Sequence, residues 1–195
     1  CVGYLVPGAT GHMDGETQRM INTPWSDEKM PFEEAAEIGT HKVINEHSTI
    51  GVVVTTDGSI TEIPREDYIE AEERVIKELR EINKPFVMVL NTTRPYSQEA
   101  EELKNTLSEK YQVPVISANC AQLKQEDINA IMEKVLYESP VKELRIHLPK
   151  WIETLTMDNW LKQSMISAIK SVMTDDNKIR GINENMLSIE DNEYI

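Results

Sequence analysis

Gly51-Val52-Val53-Val54-Thr55-Thr56-Asp57-Gly58 is a β-branched run that stops on a polar turn. The same construction recurs at Pro85–Asn91, which hands over to Thr92-Thr93-Arg94, and at Val113–Asn119, which ends Ser117-Ala118-Asn119. Unbroken apolar runs of this length suit parallel strands covered on both faces. Helical patterns lie between and after them. Asp67–Asn83 puts Tyr68, Val75, Ile76, Leu79 and Ile82 on one face. Ala100, Leu103, Leu107 and Tyr111 stripe a segment for which Ser97 is the N-cap, and Gln125–Tyr137 turns Ile128, Ile131, Met132, Val135 and Leu136 inward. Strand alternating with helix predicts right-handed parallel crossovers, hence an α/β fold with mostly parallel strands. Ligands in such sheets bind outside the carboxyl ends of the strands, where these three polar tips stand.

Outward from this block the patterning weakens. Residues 5–32, punctuated by Pro7, Gly8, Gly11, Gly15, Pro24 and Pro31, read as one long loop. Pro31 then precedes Phe32-Glu33-Glu34, an acidic first turn suited to a helix that runs to about His47, with Gly39 as its weak point. Within the loop, Trp25 is either an exposed interface residue or folds back on its own domain. The composition changes at Ser139-Pro140. Val141–Leu148 alternates like a half-exposed strand, Pro149 ends it, and Trp151–Met173 reads as mostly helical. The tail from Thr174 is weakly patterned. The expected domains are therefore 1–139 and the start of a second, α+β region over 140–195.

Composition excludes several functions. The 195 residues carry 34 acidic against 20 basic side chains, a net charge of −14, with no clustered basic stripe, so nucleic acid is not an expected partner. No apolar run approaches the roughly 20 residues that span a bilayer. Cys1 and Cys120 are the only cysteines, which points to a reducing cytosol rather than a disulfide framework. The histidines have no partner at metal-ligand spacing, and no metal site is expected within the chain. The chain does not begin with Met and reads as an excised fragment.

The tips carry the chemistry. In GTPases a strand end of this kind holds Asn-Lys-x-Asp, whose Asp accepts two guanine hydrogen bonds. Asn91 matches the Asn, but Thr92 replaces the Lys and Arg94 the Asp. A guanidinium cannot accept a hydrogen bond, so guanine readout is poor and adenine or loose base recognition is the natural alternative; a polar strand-end turn leading to Pro95 is the competing reading. Ser117-Ala118-Asn119 stands where GTPases place Ser-Ala-Lys, whose backbone touches the base. Thr55, Thr56 and Asp57 suit a strand-to-loop turn better than a phosphate or metal contact. Gly3 fits the last position of an Asp-x-x-Gly motif that closes over a γ-phosphate, with the Asp just before Cys1; an ordinary turn is the competing reading. No Gly-x-x-x-x-Gly-Lys-Ser/Thr loop occurs.

Cys1-Val2-Gly3-Tyr4, Val6-Pro7-Gly8-Ala9, Arg19–Trp25, Glu33–Gly39, His47–Val53, Asp67–Val75 and Arg94-Pro95-Tyr96 resemble the stage IV sporulation protein A family. The resemblance runs through most of residues 1–160. It implies a P-loop-NTPase-like three-layer sandwich of the translation-factor-related GTPase class, of which this chain holds the second half. It implies an ATPase that uses Mg2+ and polymerises into the basement layer of the spore coat, in the mother-cell cytoplasm at the forespore outer membrane. The implied partners are further copies of itself, a small amphipathic membrane-anchoring peptide and coat morphogenetic proteins. It implies nucleotide binding by Gly3, Asn91, Thr92, Arg94, Ser117, Ala118 and Asn119. The phosphate loop and the catalytic residues are expected upstream of Cys1, so the chain alone is expected to be inactive. The alternative is a scaffold or interaction module without nucleotide chemistry.

Overall fold

A computed structural model describes residues 2–172 and 178–190. The chain divides into two compact units, Cys1–Val135 and Leu136–Ile195.

In the first unit the segment read as a loop forms two small hairpins. β1 (Met13–Asp14) pairs antiparallel with β2 (Thr17–Gln18), and β3 (Met20–Thr23) with β4 (Ser26–Pro31). Gly15, at φ 66°, closes the first turn in the left-handed region that glycine enters without penalty. These strands are short and largely exposed, so no buried alternation marked them in the sequence. α1 (Phe32–Lys42) follows and continues through a π-helical turn, Val43–His47. The helix runs unbroken through Gly39. Trp25 crosses α1 so closely that a Cβ at Gly39 would lie 3.2 Å from the indole ring, while the indole stays 40% exposed. Trp25 thus folds back on its own unit without being covered.

The parallel block forms as its pattern requires. β5 (Gly51–Thr56), α2 (Ile69–Glu81), β6 (Phe86–Asn91), α3 (Gln98–Tyr111), β7 (Val115–Ala118) and α4 (Gln125–Tyr137) alternate along the chain. The strands lie in the order β5-β6-β7, all parallel. This is a three-stranded parallel sheet flanked by helices, consistent with a P-loop-like sandwich. Ser97 caps α3 as expected, its hydroxyl accepting from Ala100 N at 3.2 Å. Ile76 and Leu79 of α2, with Leu107 and Tyr111 of α3, cover Val53, Phe86, Met88, Leu90 and Val115 in one core. β6 is central and buried throughout, except at Asn91. β5 departs from the expected burial on both faces: Val53, Thr55 and Thr56 are buried, but Val52 and Val54 are 48% and 58% exposed. β5 is an edge of the described sheet, and nothing described covers that face.

A charged cluster pins α2 beneath the sheet. Both oxygens of the buried Glu72 carboxylate accept from Arg65 at 2.8 Å, and Tyr111 OH donates to it at 2.7 Å. Removed from water, a carboxylate persists only with such partners.

The second unit contains α5 (Lys150–Glu153), α6 (Trp160–Val172) and α7 (Ile179–Glu190). The predicted helix over Trp151–Met173 is broken at 154–159, and Met173 lies outside the described residues. The predicted strand over Val141–Leu148 is irregular chain. The pairing described nearby is one isolated bridge, Pro140 to Lys178, and without a partner strand the alternation leaves Leu144, Ile146 and Leu148 about 40% exposed. The tail read as weakly patterned contains α7; residues 174–177 and 191–195 of that tail lie outside the described residues. The buried Glu138 carboxylate pairs with Lys178 at 2.9 Å and Arg180 at 3.3 Å. Among the described residues no helix is long and apolar enough to cross a membrane.

Candidate functional site

Parallel pairing aligns the three tips. Thr56 lies beside Asn91 and Asn91 beside Ala118, so all three strands deliver their polar ends to one edge of the sheet. Asn91 Oδ1 accepts from Cys120 N at 2.9 Å, fastening the β6 tip to the loop after β7. Asn119 Oδ1 accepts from Ala121 N at 3.1 Å and caps the short turn Cys120–Gln122. Thr92 N donates to Ala118 O at 3.0 Å. The structure thus brings Asn91, Thr92, Ala118 and Asn119 together.

Thr92 stands where a lysine was the pattern to match, and it is 1% exposed. Its hydroxyl donates to Asp57 Oδ2 at 2.6 Å, while Asp57 Oδ1 accepts from Ser59 N at 2.9 Å. Partial burial pushes the Asp57 carboxyl upward, but the hydrogen bonds from Ser59 and Thr92 outweigh it and hold the group below the ordinary Asp range. The sequence reading of Thr55-Thr56-Asp57 as a turn agrees with Gly58 N donating to Thr56 Oγ1 at 3.1 Å. That reading missed Asp57 and Ser59 as braces of the β6 tip; Asp57-Gly58-Ser59 was the available signal, since Asp side chains bond the backbone two residues on.

Arg94 is exposed, with Glu99 as its electrostatic neighbour. Ser117 Oγ is buried and has no hydrogen-bond partner among the described residues, a rarity that asks for an explanation. The chemistry of the rim is one-sided. The amide oxygens of Asn91 and Asn119 and both oxygens of Asp57 are engaged internally. What remains is mostly donors: two side-chain amide NH2 groups and the Arg94 guanidinium, beside the Ser117 hydroxyl, which can donate or accept. Both purines offer ring-nitrogen acceptors to such a rim, but the guanine N1–H and N2–H2 pair needs two acceptors side by side, whereas adenine presents one amine and the N1 acceptor. Among the described residues no group of three His, Cys, Asp or Glu is placed to hold a metal ion.

Gly3 is held elsewhere. Its carbonyl lies 3.1 Å from Thr40 Oγ1 of α1, and it lines an apolar groove of about 480 Å³ with Trp25, Phe32 and Gly39. No described contact joins it to the strand tips, and Cys1 lies outside the described residues. The neighbouring Tyr4 hydroxyl donates to the Glu78 carboxylate at 2.5–2.6 Å, beneath an Arg74 guanidinium 3.9 Å from the ring centre that also pairs with Glu37 at 2.6 Å. Burial, then the Glu78 bond, pushes the Tyr4 phenol well above its usual range. This cluster ties the N-terminal segment to α1 and α2.

The family model "Stage IV sporulation protein A, ATPase domain" matches residues 1–140, and "Stage IV sporulation protein A, middle domain" matches residues 141–195. Proteins named stage IV sporulation protein A are similar along nearly the whole chain. The one from Clostridioides difficile (strain 630) is 54% identical over 93% of this chain and 37% of its own length. Those from Bacillus anthracis and Bacillus subtilis (strain 168) are each 49% identical over all of this chain and 40% of their own length. No solved structure matches the chain significantly. The chain spans about two fifths of the length of these curated relatives. Matched along its whole length by two successive domains of one family, the chain belongs to the stage IV sporulation protein A family.

Proposed function

We propose that the strand tips are the base-side rim of an adenine-nucleotide site, and that the whole protein is an ATPase that self-assembles on the forespore surface as the basement layer of the spore coat. The observation that carries the nucleotide reading is the donor-rich rim, with Arg94 at the position where guanine readout needs an acceptor. It is supported by the ATPase-domain match over residues 1–140. Asn91, Arg94, Ser117 and Asn119 contact the base in this reading. Thr92 and Ala118 shape the loops around it, and Gly3 belongs to the γ-phosphate side. Residues 1–139 form the C-terminal part of the ATPase domain, and 140–195 open the middle region. Mg2+, the phosphate loop and the catalytic groups belong to sequence outside this chain. Further copies of the protein, an amphipathic anchoring peptide and coat morphogenetic proteins are its partners at the mother-cell face of the forespore membrane. Phosphate release tests the reading: a protein of the relatives' full length is expected to hydrolyse ATP, and the 195-residue chain alone is not. A full-length protein that leaves ATP intact contradicts it, and favours the scaffold reading that a chain without a phosphate-cradling sequence also permits.

A further inference from the structure

The turn Thr92-Thr93-Arg94 has all three of its backbone N–H groups individually held. Thr92 N donates to Ala118 O at 3.0 Å, Thr93 N to Ser59 Oγ at 3.0 Å, and Arg94 N to Thr92 Oγ1 at 3.2 Å. Two of these acceptors belong to one small cluster. Thr92 Oγ1, while accepting from Arg94 N, donates to Asp57 Oδ2 at 2.6 Å; Ser59 is fixed by its own N–H to Asp57 Oδ1 at 2.9 Å. A single carboxylate, on the loop after β5, therefore orients both hydroxyls that set the path of the chain from Asn91 to Arg94. Thr92 is almost completely buried, so its hydroxyl has little solvent to turn to if Asp57 is lost.

We infer that Asp57 is a positioning residue for base recognition: acting through the Thr92 and Ser59 hydroxyls, it holds the 92–94 turn so that Asn91 and Arg94 present their donors to the base. The inference rests on the adenine-rim reading above. Asp57 touches no phosphate or metal in it, and both its oxygens are already engaged. Removing the latch weakens binding of the base and leaves the phosphate end unaffected. A threonine hydroxyl at 92 does here what a strand-tip lysine cannot do, because a lysine ammonium offers donors and no acceptor for Arg94 N.

The test compares Thr92→Val, which keeps the shape and deletes the hydroxyl, with Thr92→Ser, which keeps the hydroxyl. Both are made in the full-length protein. Calorimetry with ATP, ADP and inorganic tripolyphosphate reads the base and phosphate ends separately, and steady-state hydrolysis separates KM from kcat. For Thr92→Val, ATP and ADP affinity is expected to fall roughly tenfold and KM to rise, with tripolyphosphate affinity and saturated kcat unchanged. Thr92→Ser is expected to bind within about twofold of wild type. If Thr92→Val does not fold, Ser59→Ala at its exposed position removes the acceptor of Thr93 N and is expected to shift ATP affinity in the same direction. Wild-type ATP affinity in these variants overturns the inference and leaves the rim reading standing. Equal losses for ATP and tripolyphosphate also overturn it, because they report general damage. A wild-type protein that binds no nucleotide removes the rim reading and this inference with it.

Discussion

Removing one oxygen from Tyr111 separates the buried cluster around Glu72 from ordinary core packing. The ring is 5% exposed in the core, and its hydroxyl donates to Glu72 Oε1 at 2.7 Å. Tyr111→Phe keeps the ring and deletes that donor, while Arg65 still holds both carboxylate oxygens. A hydrogen bond to a buried charge contributes about 1.5–3 kcal/mol, so a loss of about 2 kcal/mol is expected at pH 7. That is a large share of the ~5–15 kcal/mol by which domains are stable. The same contact predicts a pH signature. Burial, then the hydrogen bond and charge of Glu72, push the Tyr111 phenol from 10.0 up to about 12, against an opposing pull from Lys110. A folded-state value raised above the unfolded one favours the protonated phenol, so this contribution is complete below about pH 10 and is lost as pH climbs toward 12. By pH 11 the wild type has forfeited roughly 1 kcal/mol of it, which the Phe variant never had. The Tyr4 phenol, also raised, titrates in both proteins and cancels from the comparison. Urea titrations followed by circular dichroism at pH 7 and pH 11 are therefore expected to show the gap between the proteins narrowing from about 2 to about 1 kcal/mol. A gap under about 0.5 kcal/mol at pH 7, or one that stays constant or widens at pH 11, refutes the reasoning.

Gly51→Ala puts a Cβ 2.9 Å from Phe86 Cβ and 3.2 Å from Leu79 Cδ1, and is expected to cost about 1–3 kcal/mol, read as a fall in melting temperature; an unchanged transition would mean that the start of β5 is not packed as described. Ser97→Ala removes the acceptor for Ala100 N and is expected to cost about 1 kcal/mol, with faster amide exchange confined to the first turn of α3; exchange spread along the helix would contradict a local cap.

The parallel block was legible because its signals are local. Val87, Met88, Val89 and Leu90 announce a strand by composition, and Ser97 with Glu99 and Glu101 announces a helix start. What failed depended on partners. Val52 and Val54 read as buried like Val87 and Val89, yet they lie on an edge strand, and no sequence run states its place in the sheet order. The alternation at Val141–Leu148 met no partner strand, so pattern without pairing gave irregular chain. Met20–Thr23 and Ser26–Pro31 pair without burying an alternating face, which hid them from periodicity. At the strand tips, Asn91, Thr92 and Ala118 were singled out by position in the strands, and register brings them together. Gly3 was chosen by motif and lies against α1 through Thr40. Asp57 was seen as a turn former, and its second role became visible only once Thr92, 35 residues away, stood 2.6 Å from it.

In the proposed reading, the rim prefers adenine because the Asn91, Asn119 and Asp57 oxygens are engaged internally and Arg94 fills the guanine-reading position. Competitive calorimetric titration of ATP against GTP on the full-length protein, with Arg94→Asp alongside, tests it most directly. ATP is expected to bind at least about tenfold tighter than GTP in the wild type, a difference of about 1.4 kcal/mol. Arg94→Asp restores an acceptor and is expected to narrow that preference. Equal or tighter binding of GTP by the wild type, or an ATP preference unmoved by Arg94→Asp, would contradict the account.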